Sequence, residues 1–176
     1  MITLDQLKHI CPSSSVITLQ KYVEPINRYM VSVGGITSTQ RLRHFIAQVA
    51  HESGCFRYVL EIYGGEAYNN RPDLGNIMPG DGPRFRGRGL IQITGRTNYE
   101  QCSMALFGNK RLLDTPELLE QPVNAVRSAM WFWNTRGLNA LADSDDIRAV
   151  TRRINGGYNG LDNRKTLYER AKNFIP

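Results

Sequence analysis

The chain has 176 residues, 41% of them hydrophobic and 22% charged, a size and balance that support one hydrophobic core and exclude disordered and collagen-like chains. Twenty-two Lys and Arg against 16 acids leave a net charge of +6, which draws the molecule toward polyanions such as nucleic acid, acidic membranes or a phosphate-bearing envelope without choosing among them. No apolar stretch approaches the roughly 18 residues of a membrane span, and Met1 to Lys8 lack the basic and apolar regions of a signal peptide, so synthesis in the cytoplasm is expected.

Helical periodicity dominates the chain order. Residues 18–32 place Leu19, Tyr22, Val23, Ile26 and Met30 at three- and four-residue steps before Gly34 and Gly35, which predicts an amphipathic helix with a glycine stop. A second helix, 38–53, has Thr37 and Ser38 as cap candidates and Leu42, Phe45, Ile46 and Val49 on one face. From Gly64 to Arg88 the density of Gly and Pro forbids a long helix, and a loop of this length in a compact domain points to function. Helices over 122–136, 145–154 and 162–174 follow, with Pro122 near the start of the first and Gly137 at its end. Trp133, with Trp131 and Phe132, reads as core more than as a sugar platform. The expectation is one mainly α domain over residues 1–176, with the N-terminal helices completing its packing. Cys11, Cys55 and Cys102 are odd in number and widely spaced, with no CxxC, and read as reduced, half-buried thiols rather than disulfides or metal ligands.

Two glutamates stand out. Glu52 falls at the border of the apolar face of the 38–53 helix, beside Phe45 and just before Gly54, so a rigid element can aim it into a cleft; partial desolvation there suits a general acid. A surface glutamate at a helix end fits the same pattern. Glu61 interrupts the apolar and aromatic run Tyr58-Val59-Leu60-Glu61-Ile62-Tyr63, which places a second acid in an otherwise buried setting; an edge-strand or helix charge facing water fits the same residues. Two carboxyl groups in one cleft, one protonated and one ionised, are what glycoside hydrolysis requires.

The run from Phe85 to Tyr99, FRGRGLIQITGRTNY, sharpens this reading. Leu90 to Thr94 is expected to be strand-like, with Gln92 and Thr94 on one face offering amide and hydroxyl groups for sugar binding or for holding water. The glycines lack the Gly-Lys-Ser/Thr ending of a phosphate loop. Arg84, Arg86 and Arg88 leave open a nucleic-acid patch beside a structural role, although no nucleic-acid partner is expected.

Four motifs in order resemble glycoside hydrolase family 19, the chitinase-like lysozyme fold, and more narrowly its phage and prophage endolysins. They are Ala50-His51-Glu52-Ser53-Gly54, the second acid Glu61, the FRGRG-LIQITGR-TNY run, and Ile154-Asn155-Gly156-Gly157 with Arg164. The resemblance implies a mainly α lysozyme-like domain with a small β or loop element at its cleft. By it, Glu52 is similar to the family's general acid, Glu61 to its general base, and Thr94 to the residue that helps hold the attacking water. His51 is a further candidate contact to sugar or to its own helix end, and Gln92, Asn98, Asn155 and Arg164 resemble substrate-binding or site-supporting positions.

The implied chemistry is inverting hydrolysis of β-1,4 bonds without metal or cofactor. The expected substrate is peptidoglycan, reached by a monomer released from a bacterial cytoplasm and held near the anionic envelope by charge. A chitinase and a catalytically silent wall- or nucleic-acid-binding protein are the alternatives.

Overall fold

A computed structural model describes all residues, 1–176. The chain forms ten helices: α1 (Leu4–Ile10), α2 (Val16–Tyr29), α3 (Thr39–Glu52), α4 (Asp81–Arg84), α5 (Arg96–Phe107), α6 (Arg111–Asp114), α7 (Pro122–Thr135), α8 (Leu138–Asp143), α9 (Ile147–Asn155) and α10 (Leu161–Phe174). Side-chain oxygens close several starts. Thr3 and Gln6 form a reciprocal capping box on α1, Ser15 accepts from the Thr18 N–H on α2, and Ser38 accepts from the Arg41 N–H on α3.

The core organises around α3, which packs against α10 and also meets α8 and α9. The expected single apolar stripe on α3 proves too narrow, because every residue from His44 to Ala50 is buried. A helix enclosed on all sides must find partners for its polar side chains. His44 Nε2 lies 3.0 Å from Asp145 Oδ1, and Gln48 Nε2 donates to Thr151 Oγ1 at 3.1 Å. Burial holds His44 below the ordinary histidine range, partly offset by Asp145. Phe45 meets Trp133 edge-to-face at 5.5 Å, and fully buried Trp133 donates from Nε1 to Asn139, as its core assignment required. The N-terminal helices join the same body: α1 packs on α10 and α2 on α7.

The other half of the molecule is irregular. Between α3 and α5 run two single turns of 3₁₀ helix, Glu66–Tyr68 and Pro72–Leu74, and the short α4. The expected strand over 90–94 is absent. Residues 89–92 form a turn closed by the Gln92 N–H to Gly89 carbonyl bond, Gln92 takes a left-handed φ of 56°, and pairing is confined to isolated bridges of Arg88 with Leu60 and Ile93. Period-two alternation fails for the same reason: Leu90, Ile91 and Ile93 are all buried, so the apolar side chains anchor a turn instead of facing a sheet. Two of the three alternating arginines are structural. Arg88 is buried and pairs with Glu120 at 2.8 Å, and Arg84 donates to the Leu113 carbonyl.

Candidate active site

Glu52 is the last residue of α3 and is 22% exposed, at the edge of the buried face where the helical spacing put it. Its Oε1 accepts from Arg164 Nη2 at 2.6 Å. Arg164 reaches it from α10 while only 2% exposed, and its Nη1 donates to Gln48 Oε1 at 2.5 Å. The carboxylate thus terminates a buried chain, Thr151–Gln48–Arg164–Glu52, built on three packed helices. A buried guanidinium needs both a counter-charge and acceptors for its N–H groups, and this chain supplies them.

After Glu52 the backbone reverses sharply. Gly54, Cys55 and Phe56 have φ values of 55°, 62° and 65°, three left-handed residues in succession. A Cβ on Gly54 would come within 2.7 Å of the Tyr58 ring, so both space and φ require glycine there. Ser53 braces the turn: its hydroxyl donates to the Val49 carbonyl at 2.7 Å and accepts from the Phe56 N–H at 2.8 Å.

The segment beyond carries Glu61 back to the cleft. Its backbone N–H donates to the Gly87 carbonyl at 2.9 Å, and its side chain accepts from the Gly87 N–H at Oε2, 3.0 Å, and from the Tyr68 hydroxyl at Oε1, 2.8 Å. Burial and the bond to Glu61 raise the Tyr68 phenol above its ordinary value, so it is a protonated donor at neutral pH. The run around Glu61 is not buried as its apolar composition predicted: Ile62 is 80% and Tyr63 79% exposed. These side chains form a rim, and Glu61 beneath them is half-buried.

Glu52, Tyr58, Leu60, Glu61, Ile62, Tyr63 and Gln92 line one cavity of about 310 Å³. The two carboxyl groups therefore share a cleft with apolar and aromatic walls. Of the Gln92–Thr94–Asn98 group, only Gln92 lines it. Asn98 donates to the Thr94 carbonyl, Thr94 to the Gln92 carbonyl and Gln92 to the Gly89 carbonyl, a ladder of side chain to backbone bonds that fixes the turn. Gly87 permits the closest approach here, since a Cβ would stand 2.5 Å from Gln92 Oε1.

The remaining candidates are carried by α3, α9 and α10. His51 Nδ1 is 2.8 Å from Asn163 Oδ1, and its ring is so close to Gly160 that a Cβ there would sit 2.2 Å from Cε1. Asn155 is exposed at the end of α9, before left-handed Gly156. Arg164, expected among substrate-binding or supporting positions, is enclosed and acts on Glu52. Sequence reasoning missed Gln48 and Tyr68. Gln48 carried a signal, a polar side chain one helical turn before Glu52 amid apolar neighbours; Tyr68, inside the glycine-rich loop, carried none.

A family model described as class I chitinase, of glycoside hydrolase family 19, matches residues 4–150. A family 19 domain-containing protein of Haemophilus influenzae is 31% identical over 169 residues, covering 78% of this chain and 82% of that protein. An endochitinase of Arabidopsis thaliana is 34% identical over 147 residues, covering 84% of this chain; the match spans about half (50%) of that endochitinase. Among solved structures, chitinase C of Streptomyces griseus aligns with a TM-score of 0.78 at 21% identity over 99% of this chain and 76% of that one. A bacterial family 19 chitinase also aligns with a TM-score of 0.78, at 22% identity, over 99% and 94% of the two chains. These last two likenesses establish the lysozyme-like, mainly α fold.

Proposed function

Since the chain belongs to glycoside hydrolase family 19 and is a glycoside hydrolase, we propose that it cleaves β-1,4 bonds of the peptidoglycan glycan by inversion, with Glu52 as general acid and Glu61 as general base. The observation that carries the reading is the single cleft shared by the two carboxyl groups beneath an exposed aromatic rim. In an inverting reaction one carboxyl protonates the leaving oxygen while the other activates water on the opposite face of the sugar.

The bonding pattern divides these roles. Glu61 receives two uncharged donors, which suits the ionised state of a base and leaves lone pairs on both oxygens for a water molecule. Glu52 has Oε1 committed to Arg164, so Oε2 is the atom that carries the proton to the glycosidic oxygen. Arg164 holds Oε1 in place while Oε2 faces the leaving oxygen, so the position of the acid is set by a contact that takes no part in the proton transfer. Thr94, outside the cavity lining, acts on the attacking water through the turn that presents Gln92, to whose carbonyl its hydroxyl donates, and the exposed faces of Tyr58 and Tyr63 offer stacking surfaces for sugar rings.

The charge of +6 supports an anionic bacterial wall as the target, approached from the cytoplasm once the membrane is breached. Chitin is the second reading, favoured by the endochitinase relatives. Side-by-side digestion of purified peptidoglycan and chitin oligomers by wild type and Glu52→Gln, with the new reducing ends read by mass spectrometry, decides between them. Soluble muropeptides from wild type alone are the expected result, chitin products alone would replace the substrate, and no product from either would overturn both readings.

A further inference from the structure

The solvent side of α9 carries positive charge that the fold does not use. Arg148, Arg152 and Arg153 are exposed there, opposite the buried Val150 and Thr151, and Arg136 is exposed just past the end of α7. Arg153 Nη1 donates to the Arg136 carbonyl at 3.0 Å, which brings the fourth arginine to the same face. The ion pairs that arginines form in this molecule all lie elsewhere. The acids just before α9 are already engaged: Asp143 pairs with Arg41, Asp145 meets His44 and Tyr168, and Asp146 caps the helix by accepting from the Ala149 N–H. Arg148 and Arg152 stand four residues apart, so their like charges face each other along the helix and destabilise it. Charge retained in that way and left without a counter-charge suits an anionic partner.

The charged face is continuous with the cleft. Leu141, Ala149, Arg152, Arg153 and Gly156 line a concavity of about 360 Å³ between α8 and α9, with two guanidinium groups over an apolar floor. Arg148 lies 4.7 Å from the centre of the Tyr158 ring in the loop after α9, a contact that orients the guanidinium without neutralising it. Two residues beyond Tyr158, Gly160 lies against the ring of His51, the neighbour of Glu52. A polymer cut at Glu52 can therefore pass directly onto the arginines.

We infer that this face of α9, with Arg148 and Arg152 at its centre, binds the carboxylates on the peptide branches of a peptidoglycan strand held in the cleft, and so favours that acidic polymer over neutral chitin. The inference rests on the peptidoglycan reading above and names the surface that recognises the substrate. Each guanidinium presents a planar fork of donors that matches a carboxylate, and a rise of about 1.5 Å per residue sets the two forks about 6 Å apart along the helix. A phosphate polymer fits the same forks, but the substrate's own carboxylates arrive along the path from Glu52 and need no second molecule.

The test uses the full-length protein carrying Glu52→Gln, which leaves the polymer uncut, and insoluble peptidoglycan freed of phosphate polymers, offered either unchanged or with its carboxyl groups converted to methylamides. Binding of this parent, measured by sedimentation, is expected to weaken about tenfold on amidation. Adding Arg148→Gln and Arg152→Gln weakens binding to the unchanged polymer by a similar factor and removes the response to amidation. Lys21→Gln with Arg111→Gln takes the same charge from α2 and α6 and leaves both values near the parent's. With all arginines in place, so that no substitution at α9 can disturb folding, the unchanged polymer should protect Arg148 and Arg152 from phenylglyoxal, read by peptide mass spectrometry, and the methylamide polymer should not. Equal binding to the two polymers, no protection of these arginines, an arginine variant that still responds to amidation, or a control pair weakened as much as the α9 pair would each overturn the inference. Muropeptide release by wild type is read in parallel. Its absence removes the peptidoglycan reading, whereas release from both polymers with equal binding removes the α9 surface alone.

Discussion

Glu52 leaves a helix enclosed on every side and is tied to a buried arginine, whereas Glu61 stands on backbone without a regular strand and is held by two uncharged donors. On the helical side the anchor is ionic: Arg164 is bonded to Gln48 and Glu52, and displacement of any member strands a buried charge or amide. On the loop side each bond is neutral, and the position of Glu61 depends on turn geometry at Gly54–Phe56 and on Gly87. One carboxyl group is thus fixed by helix packing and the other by the conformation of a loop. Substitutions on the two sides should therefore separate loss of chemistry from loss of stability.

The largest effects are expected on the carboxyl groups themselves. Glu52→Gln keeps an oxygen for Arg164 and the volume of the side chain but cannot donate an acid proton. A fall in kcat of about 10²–10⁴ is expected, with a thermal midpoint close to wild type, read from reducing-end release and circular dichroism melts. Glu61→Gln should cost nearly as much in rate, since an amide cannot take the proton of the attacking water. Full activity in either variant would remove the two-glutamate division of labour.

Arg164→Met tests the ionic anchor. It removes the charge while filling much of the space, leaving the Glu52 carboxylate and the Gln48 amide without their partner. A loss of about 3–5 kcal/mol in unfolding free energy is expected, the range for breaking one partner out of a buried ion pair, measured by urea titration. Glu52→Gln in the same background should recover part of that loss, because it removes the stranded charge.

The loop side has its own buried carboxylate. Asp81 is 1% exposed and pairs with Arg96 at 2.5 Å, joining the glycine-rich segment to the start of α5. Its bond to Arg96, helped by the Met78 N–H, holds Asp81 below the ordinary carboxylate range despite burial. Because the folded value is lowered, its contribution is fully present above the unfolded value of about 3.9 and is lost as pH falls through the folded value. The thermal midpoint of wild type should therefore drop more steeply than that of Asp81→Asn between about pH 5 and the acid limit, and parallel curves would show that the pair contributes nothing.

What was readable in the sequence follows the same divide. The helical side announced itself through three- and four-residue spacing, and Glu52 was placed at the border of the buried face because helix geometry is regular enough to count along. Its partner Arg164 lies 112 positions away. Residue spacing along one helix is silent about such a contact, and the family resemblance marks Arg164 only as a substrate-binding or site-supporting position. The loop side defeated counting. Leu90 to Thr94 looked like a strand because alternation of side chains was taken for a sheet, but three apolar anchors and a left-handed Gln92 make it a turn. The aromatic run around Glu61 looked buried from its composition, yet it is the rim of a cleft, where exposed rings have a use that a hydrophobicity pattern cannot express.

Tyr68→Phe is the mildest test and the one that most directly probes the neutral side. It deletes a single hydroxyl and retains the ring, so its packing effect is small, and Glu61 loses one of two donors. A neutral hydrogen bond contributes about 0.5–1.5 kcal/mol net, so if Tyr68 serves to orient the base, turnover should fall about 2- to 10-fold while stability changes by less than about 1 kcal/mol. The Gly87 N–H bond keeps Glu61 in the cleft and limits the loss. A collapse of activity as large as that of Glu61→Gln would mean that the hydroxyl acts on the reacting atoms, and an unchanged rate would leave the Gly87 N–H as the sufficient anchor of the base.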